Sequence, residues 1–384
     1  MIKSIYIDNF KVLNDFRLDF EPVTVLIGEN SVGKSTVLQA LELLSYFTQV
    51  KYGTIDSYLL NNGWAAKDIK STLSRKQLVT FQLDIEIFDH LYQWRIEFKV
   101  KNHKFSLITE WIKDEAGHEW LFRKSGEAKR ANKNGKSIPS PEISFLSSGL
   151  SFLDENSHQP DFSELIALKQ YLNNIYLFDF SATDKLKSSG RINDEPIIGK
   201  FGEHLTSFLY HQPKTVLAEL SKKLADYIPF IKNIRITKKH SGEVELDIQE
   251  CFNNNFINAN NLSDGMMRIL AVISLSLMGE KAKTMMIEEI EDGINPYLIE
   301  KIVETLMDIA KSEAKQFILT THNPLILDWM FVESIYLLYR NKESGQIRAK
   351  RFSDSSTVIN NLDYMNPGEI WISFDKDTIV STSS

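Results

Sequence analysis

Residues 28–36 carry the feature that constrains this chain most, the pattern Gly-x-x-x-x-Gly-Lys-Ser followed by a threonine. The apolar, β-branched run Val23–Ile27 precedes it, and residues with helical spacing follow it. A strand–loop–helix of this kind wraps glycine backbone and helix N-terminal N–H groups around a phosphate chain. Lys34 is then expected beside the β- and γ-phosphates, and the Ser35 hydroxyl on Mg²⁺. The predicted phosphate cradle consists of Gly28, Glu29, Asn30, Ser31, Val32, Gly33, Lys34, Ser35 and Thr36.

The composition narrows the class of protein to which the chain can belong. Its 384 residues carry a formal net charge of −7, so any contact with nucleic acid would need a local basic patch. The single cysteine, Cys251, excludes an internal disulfide framework and a thiolate metal cluster. No apolar run approaches the roughly 18 residues that span a membrane, and the first residues do not form a secretory signal. We therefore expect a cytoplasmic protein with no membrane contact.

Hydrophobic periodicity predicts a mixed α/β chain. Between residues 78 and 112, apolar and polar residues alternate in three runs separated by short turns, which is typical of an antiparallel β-meander with one solvated face. No heptad pattern persists over three or four repeats. We expect one composite α/β domain over residues 1–384, which contains an antiparallel β subdomain at residues 75–125 and a helical lobe at residues 197–282.

A basic stretch follows the predicted meander. Its positive side chains are Arg123, Lys124, Lys129, Arg130, Lys133 and Lys136, against the single acid Glu127. Such a cluster can contact the phosphates of a nucleic acid. It is also typical of a solvated surface loop, and the absence of aromatic residues between the charges favours that second interpretation.

A second candidate anion site opens a strongly apolar helix. Ser263 suits the N-cap position, Asp264 suits the first helical turn, and Gly265 leaves the backbone accessible. One interpretation is a capped helix and nothing more. The other is a hydroxyl and bare N–H groups presented to an anion, because helix N-termini attract negative charge.

Two later apolar runs end in chemically active side chains. The run from Thr284 to Ile287 is followed by Glu288 and Glu289, and the run that starts at Gln316 ends in Thr320, Thr321 and His322. In an open parallel sheet, the carboxyl ends of the strands face the ligand crevice. Neighbouring strand residues point to opposite faces, so Glu288 and Glu289 should differ in role. One is expected to hold Mg²⁺ and the other to act on an attacking water. The pair alone is also compatible with two acidic residues at a strand end that have no such role. His322 should hydrogen-bond a γ-phosphate or that water.

These motifs, in this order, resemble those of an ABC-type ATPase of the SMC/RecF/OLD class, and most closely the prokaryotic OLD-like AAA-domain ATPases. The resemblance covers residues 1–48 and 197–340 and predicts a P-loop ATPase head with a mixed or parallel core sheet, the β-meander and a helical signature lobe. It assigns no Q-loop glutamine between residues 130 and 195. By position it implies a Walker A motif at residues 28–35, an ABC signature at residues 262–265, a Walker B Mg²⁺ ligand at Glu288, a catalytic glutamate at Glu289 and a switch histidine at His322.

The resemblance also implies how such a chain acts. In this class, ATP with Mg²⁺ joins two heads, and each nucleotide lies between the Walker A motif of one copy and the signature of the other. Ser263, Asp264 and Gly265 would then complete the ATP site of a partner copy. The chain is therefore expected to hydrolyse ATP to ADP and phosphate as a homodimer or a higher assembly.

Departures from the class narrow the expected role. The missing heptads argue against an SMC-type coiled coil, and the stretch after His322 lacks the acidic opening of a TOPRIM nuclease domain, since Val332 is expected to begin a strand. We therefore expect a switch that controls a separately encoded nuclease or toxin in anti-phage defence. A RecF-like DNA-repair ATPase and a weakly hydrolysing, ATP-bound scaffold that sequesters an effector are the alternatives.

Overall fold

The computed structural model describes residues 1–49, 58–60, 62–101, 104–124, 127–131, 137–139, 147–153, 162–192, 197–252 and 254–381. The chain divides into two compact units. Unit 1 consists of Met1–Ile175 and Tyr336–Asp354, and unit 2 consists of Tyr176–Ile335 and Ser355–Ser384. None of the helices in the described ranges is both long enough and apolar enough to cross a membrane.

The strands follow in chain order. They are β1 (Ile2–Asp8), β2 (Phe16–Asp19), β3 (Val23–Ile27), β4 (Leu78–Ile87), β5 (His90–Lys101), β6 (Lys104–Asp114), β7 (Glu119–Lys124), β8 (Glu127–Ala131), β9 (Ser137–Pro139), β10 (Ile175–Asp179), β11 (Gly190–Arg191), β12 (Ile231–Lys238), β13 (Glu243–Glu250), β14 (Phe256–Asn258), β15 (Thr284–Glu288), β16 (Gln316–Thr320), β17 (Ile335–Arg340) and β18 (Ile347–Arg351).

The α-helices lie between these strands and near the carboxyl end. They are α1 (Lys34–Gln49), α2 (Ser163–Asn173), α3 (Thr183–Leu186), α4 (Leu205–Tyr210), α5 (Lys214–Tyr227), α6 (Asp264–Ser274), α7 (Ile299–Ser312), α8 (Pro324–Leu327), α9 (Ser356–Asn361), α10 (Pro367–Ser373) and α11 (Lys376–Val380).

Unit 1 is built around the predicted antiparallel meander. Its eight strands lie in the order β2-β1-β4-β5-β6-β7-β8-β9. Phe81, Trp94 and Phe98 share one face and are at most 1% exposed, which confirms the buried face of the alternating pattern. The Phe47 ring of α1 lies 5.7 Å from that of Phe98, centroid to centroid. The helix that follows the phosphate cradle is thus packed on the apolar face of the sheet, where each buried aromatic contributes about 1.5–3 kcal/mol.

Strand β3 leads into the phosphate cradle and is buried at all five positions. It belongs with β17 and β18 in the order β3-β17-β18. The expectation that Val332 begins a strand is wrong. Val332–Ser334 form a single 3₁₀ turn, and the strand begins at Ile335, where the alternating apolar residues start.

Unit 2 contains the neighbouring strands β10, β15 and β16 and a second sheet formed by β11 to β14. Strands β15 and β16 are parallel, with Thr284 beside Gln316 and Ile287 beside Leu319. The amphipathic helix α7 makes the crossover that parallel strands require. The two strands therefore end at the same edge, as the sequence predicts, and the whole arrangement has the expected α/β fold class.

Candidate functional site

The phosphate loop, residues 28–36, joins β3 to α1 within unit 1. Three of its residues have positive φ angles, namely Gly28 at 139°, Ser31 at 67° and Gly33 at 91°. A Cβ atom on Gly28 would lie 2.2 Å from the carbonyl oxygen of Leu338, and one on Gly33 would lie 2.9 Å from a methyl carbon of Leu13. Because only glycine tolerates these positions, the two glycines of the motif are required by the path of the backbone itself.

Lys34 begins α1 and is only 7% exposed. Its ammonium group donates hydrogen bonds to the carbonyl oxygens of Gly28 at 2.8 Å and Glu29 at 3.2 Å. These bonds fold the side chain back over the loop and fix a positive charge where the backbone curves. Of the other predicted residues, Ser35 is half-buried, Val32 and Thr36 are buried, and Glu29, Asn30 and Ser31 are exposed.

The residues of the phosphate loop fit a bound phosphate chain. The backbone at Gly28 and Gly33 packs too closely against its neighbours for a Cβ, so the loop offers backbone rather than side chains at these positions, and the amino end of α1 adds a favourable dipole. Across the described ranges, no group of three or more His, Cys, Asp or Glu residues forms a metal site. Magnesium bound together with a nucleotide does not need such a group of side chains, because it takes one or two protein oxygens and completes its coordination shell with phosphate oxygens and water.

The two adjoining strand ends of unit 2 bring the predicted acidic pair and the histidine together. Glu288 is the last residue of β15, and Glu289 adopts a left-handed conformation with φ of 44°. The chain therefore leaves the strand between them, so the strand alternation expected for the two side chains does not apply to Glu289. The N–H of Glu289 donates to the buried hydroxyl of Thr320 at 3.1 Å, which holds the turn against β16.

His322 and Glu289 face each other across this edge. The Nε2 atom of His322 lies 3.8 Å from Oε1 of Glu289, with side chains 40% and 56% exposed. The N–H of His322 donates to Glu291 at 2.7 Å. We name Glu288, Glu289, Glu291 and His322 the strand-end cluster. The Glu289 carboxylate and the His322 imidazole are both accessible to solvent, and each residue is anchored through its backbone N–H. The two groups are close enough to act on one water molecule.

The signature segment, residues 262–265, also lies in unit 2. The Ser263 hydroxyl accepts a hydrogen bond from the N–H of Met266 at 3.3 Å, which confirms the predicted N-cap of α6. Asp264 forms an ion pair with Lys187 at 2.5 Å, and this bond lowers the pKa of the Asp264 carboxyl. Ser263 and Asp264 are exposed, so the amino end of α6 is accessible from solvent.

Sequence reasoning missed Arg268, which joins the signature segment to the strand-end cluster. It is 7% exposed and forms an ion pair with Asp292 at 2.9 Å. The signal was present, because Arg268 is the one charged residue in the apolar part of α6 after Asp264. A charge inside an otherwise buried helix requires a partner, and its identity follows from the fold alone.

The structure places the residues of the basic stretch in different environments. Arg123 lies in β7, is 5% exposed, and donates to the buried carboxylate of Glu110 at 3.0 Å and to the carbonyl oxygen of Ser147. The nucleic-acid prediction is therefore wrong for Arg123, whose charge is used inside the protein. Lys124 and Lys129 are exposed on β7 and β8 rather than in a loop, and Arg130 is half-buried against Phe162. Lys133 and Lys136 lie outside the described residues.

The chain is similar in fold to SMC head domains. It matches the crystal structure of the SmcHead bound to the C-winged helix domain of ScpA with a TM-score of 0.54 and 14% identity, over 91% of this chain and 97% of that one. It matches the Smc head domain with an extended coiled coil, bound to the C-terminal domain of ScpA derived from Pyrococcus furiosus, with a TM-score of 0.51 and 11% identity, over 94% and 99%. At these identities the likeness establishes the fold alone.

The fold and the sequence motifs define an ABC-type ATPase of the SMC/RecF/OLD class. Residues 23–328 match the model of the family described as "AAA domain, putative AbiEii toxin, Type IV TA system". Because this match covers more than half of the chain, the protein belongs to that family. No curated protein matches the chain.

Proposed function

We propose that this protein is an ATP-binding and ATP-hydrolysing switch that dimerises head to head around ATP and Mg²⁺. The observation that carries the proposal is the Glu289–His322 pair, 3.8 Å apart at the ends of two parallel strands. An exposed carboxylate and imidazole at this edge suit the activation of a water molecule. Family membership and the fitted phosphate loop support ATP as the substrate.

Each residue of the site has a distinct part in this function. Lys34 and the backbone N–H groups of the phosphate loop bind the phosphates, and the Ser35 hydroxyl and Glu288 hold the metal ion. Magnesium, when bound, neutralises the charge that develops on the phosphate oxygens. Glu289 orients the attacking water and accepts its proton, while His322 donates a hydrogen bond to the γ-phosphate.

The signature segment acts on the nucleotide of a second copy. Ser263 and Gly265 stand at the accessible amino end of α6, a helix of eleven residues whose dipole favours an anion. Lys187 offsets the negative charge of Asp264 at this end. An ATP molecule bound to one copy thus stabilises the dimer by its differential affinity for the closed state, and hydrolysis removes that stabilisation.

The closed dimer controls a separate effector protein in the cytoplasm. The matching family is described as a putative toxin of a type IV toxin–antitoxin system, and two similar SMC heads were crystallised bound to domains of ScpA. Both facts support a partner protein for this chain, and a nuclease or toxin used against phage is the class we favour. Binding of nucleic acid through Lys124 and Lys129 is a secondary proposal.

Two substitutions test the ATPase. We expect Lys34→Ala to abolish ATP binding, whereas Glu289→Gln keeps binding, lowers turnover at least about 100-fold and accumulates an ATP-bound dimer. Turnover is measured by phosphate release, and the dimer by light scattering after gel filtration. Glu300→Gln, an exposed glutamate on α7, is the matched control and should behave like the wild type. Unchanged turnover in Glu289→Gln would refute the assigned role.

A further inference from the structure

Arg268 is a buried cation that connects its own helix with two other parts of unit 2. Its Nε donates to the carbonyl oxygen of Phe180 at 3.0 Å, and Nη2 donates to that of Ser181 at 3.1 Å. Nη2 also lies 2.9 Å from Oδ2 of Asp292. One planar guanidinium therefore holds the end of β10, the turn after β15 and its own helix α6 in one arrangement. A lysine ammonium has no fork of donors with which to do the same.

Two glycines lie where this arrangement leaves no room for a side chain. A Cβ atom on Gly293, which has φ of 61°, would lie 2.1 Å from Nη1 of Arg268. A Cβ atom on Gly265 would lie 2.7 Å from the carbonyl oxygen of Gly293. The backbone of Gly265 in the signature segment thus packs directly against the backbone of Gly293. We name Gly265, Arg268, Asp292 and Gly293 the signature joint.

The signature joint is continuous with the strand-end cluster. The N–H of Asp292 donates to the carbonyl oxygen of Glu289 at 3.0 Å, so both residues belong to one tight turn. Glu291, between them, accepts the hydrogen bond from the N–H of His322. A displacement of the amino end of α6 would therefore move the turn that carries Glu289, because packed interiors transmit strain.

We propose that Arg268 is a positioning residue that serves both ATP sites of the dimer. The proposal rests on the proposed function, in which the signature segment of one copy contacts the nucleotide of the other. Arg268 holds the amino end of α6, and with it the signature segment that completes the opposite site. Through Asp292 it also holds the turn that carries Glu289, which acts at the site of its own copy. One buried arginine therefore supports a different group at each of the two sites.

Mixed dimers with one working site test the two roles of Arg268 separately. A signature-donor chain carries Lys34→Ala, and a catalytic chain carries Ser263→Arg. Neither forms an active dimer alone, so phosphate release by the mixture measures one composite site. Arg268→Lys is then placed on the donor chain in one mixture and on the catalytic chain in another. Arg235→Lys, whose ion pair with Asp247 lies on the β12–β13 hairpin, is the matched control on each chain.

We expect Arg268→Lys to lower turnover about tenfold in both mixtures, with nucleotide affinity of the catalytic chain unchanged, and the Arg235→Lys mixtures to match the parent mixture. A loss in only one mixture would show that Arg268 serves a single end, and a loss in neither would show that it serves no end; either result would overturn this proposal and leave the composite dimer standing. An inactive parent mixture, beside an active wild-type protein, would overturn the composite dimer and with it this proposal. If Arg268→Lys does not fold, Asp292→Asn replaces it, because this half-exposed partner leaves the arginine in place. The same two-sided loss is then expected, at two- to fivefold.

Discussion

The phosphate loop of unit 1 and the strand-end cluster of unit 2 present their functional groups by different means. In the loop, positive φ angles at Gly28, Ser31 and Gly33 shape the backbone, and the backbone is the binding surface. In the cluster, the groups are side chains, and their residues are held by backbone hydrogen bonds: the N–H of Glu289 donates to the Thr320 hydroxyl, and the N–H of His322 donates to the Glu291 carboxylate.

This difference determines how each region should respond to substitution. A loop that binds through its backbone should lose phosphate binding when any side chain enters the space of its glycines, whatever the chemistry of that side chain. A cluster of anchored side chains fails in steps, because the reacting groups, their anchors and the packing behind them can be altered separately. The expected effects therefore decrease from the loop to the packing behind the cluster.

The largest effect is expected from Gly28→Ala. The new methyl group would meet the Leu338 carbonyl oxygen at 2.2 Å, at a φ of 139° that L-residues rarely adopt. We expect ATP affinity to fall more than about 100-fold and stability by about 2–4 kcal/mol, measured by nucleotide titration and urea unfolding. Gly345→Ala is the matched control, because its φ is also positive, at 67°, but no atom lies within 4 Å of its Cβ position. A loss of similar size at Gly345 would contradict the steric argument.

A smaller effect, confined to catalysis, is expected from His322→Gln. The substitution keeps a hydrogen-bonding side chain and the backbone bond to Glu291 but removes the imidazole that faces Glu289. We expect kcat to fall by roughly 10- to 100-fold with ATP affinity unchanged. The exposed His240→Gln on the β12–β13 hairpin is the control. A raised KM with unchanged kcat would place His322 in binding rather than in the chemical step.

The same comparison explains how far the sequence could predict the molecule. The loop was readable because glycine and lysine identities encode its backbone path, and strand β3 has the bounds that its apolar run predicts. The parallel pair β15–β16 was readable from its uniform apolar runs. The contacts of Arg268 could not be predicted, because its partners Phe180 and Asp292 are distant from it in sequence. For the same reason Arg123 was misassigned, since its partner Glu110 is supplied by strand pairing.

Removing the anchor of Glu289 should cost less than removing the imidazole. In Thr320→Val the shape is kept, but the N–H of Glu289 loses its acceptor at a position 1% exposed. We expect a loss of about 1–2 kcal/mol in stability and a turnover reduced several-fold. Thr284→Val, at the amino end of the same strand pair, is the control and should lower stability without lowering turnover. Equal turnover losses at both positions would show a general loss of stability and no anchoring.

The smallest effect is expected from the packing behind the cluster, at Asp328. This carboxylate accepts a hydrogen bond from the N–H of Gly368 at 2.7 Å, which ties α10 to α8, the helix that follows His322. Burial raises the pKa of Asp328, an effect that the Gly368 bond partly opposes. A raised pKa means that the contribution to stability is fully present below the unfolded-state pKa near 4 and is lost as pH rises through the folded-state value.

The substitution Asp328→Asn keeps the acceptor oxygen and removes this charge. We expect the free energy of unfolding of the variant, relative to that of the wild type, to increase as pH rises from about 4 to 7. The increase should be well under about 1 kcal/mol, because solvent screens a partly exposed group. The corresponding rise in melting temperature, below about 2 °C, is measured by calorimetry across that pH range. Asp363→Asn, an exposed carboxylate after α9, is the matched control for the loss of one negative charge. A variant that instead loses stability at pH 7 would mean that the charge itself strengthens the bond to Gly368, and that charge rather than shape holds this packing.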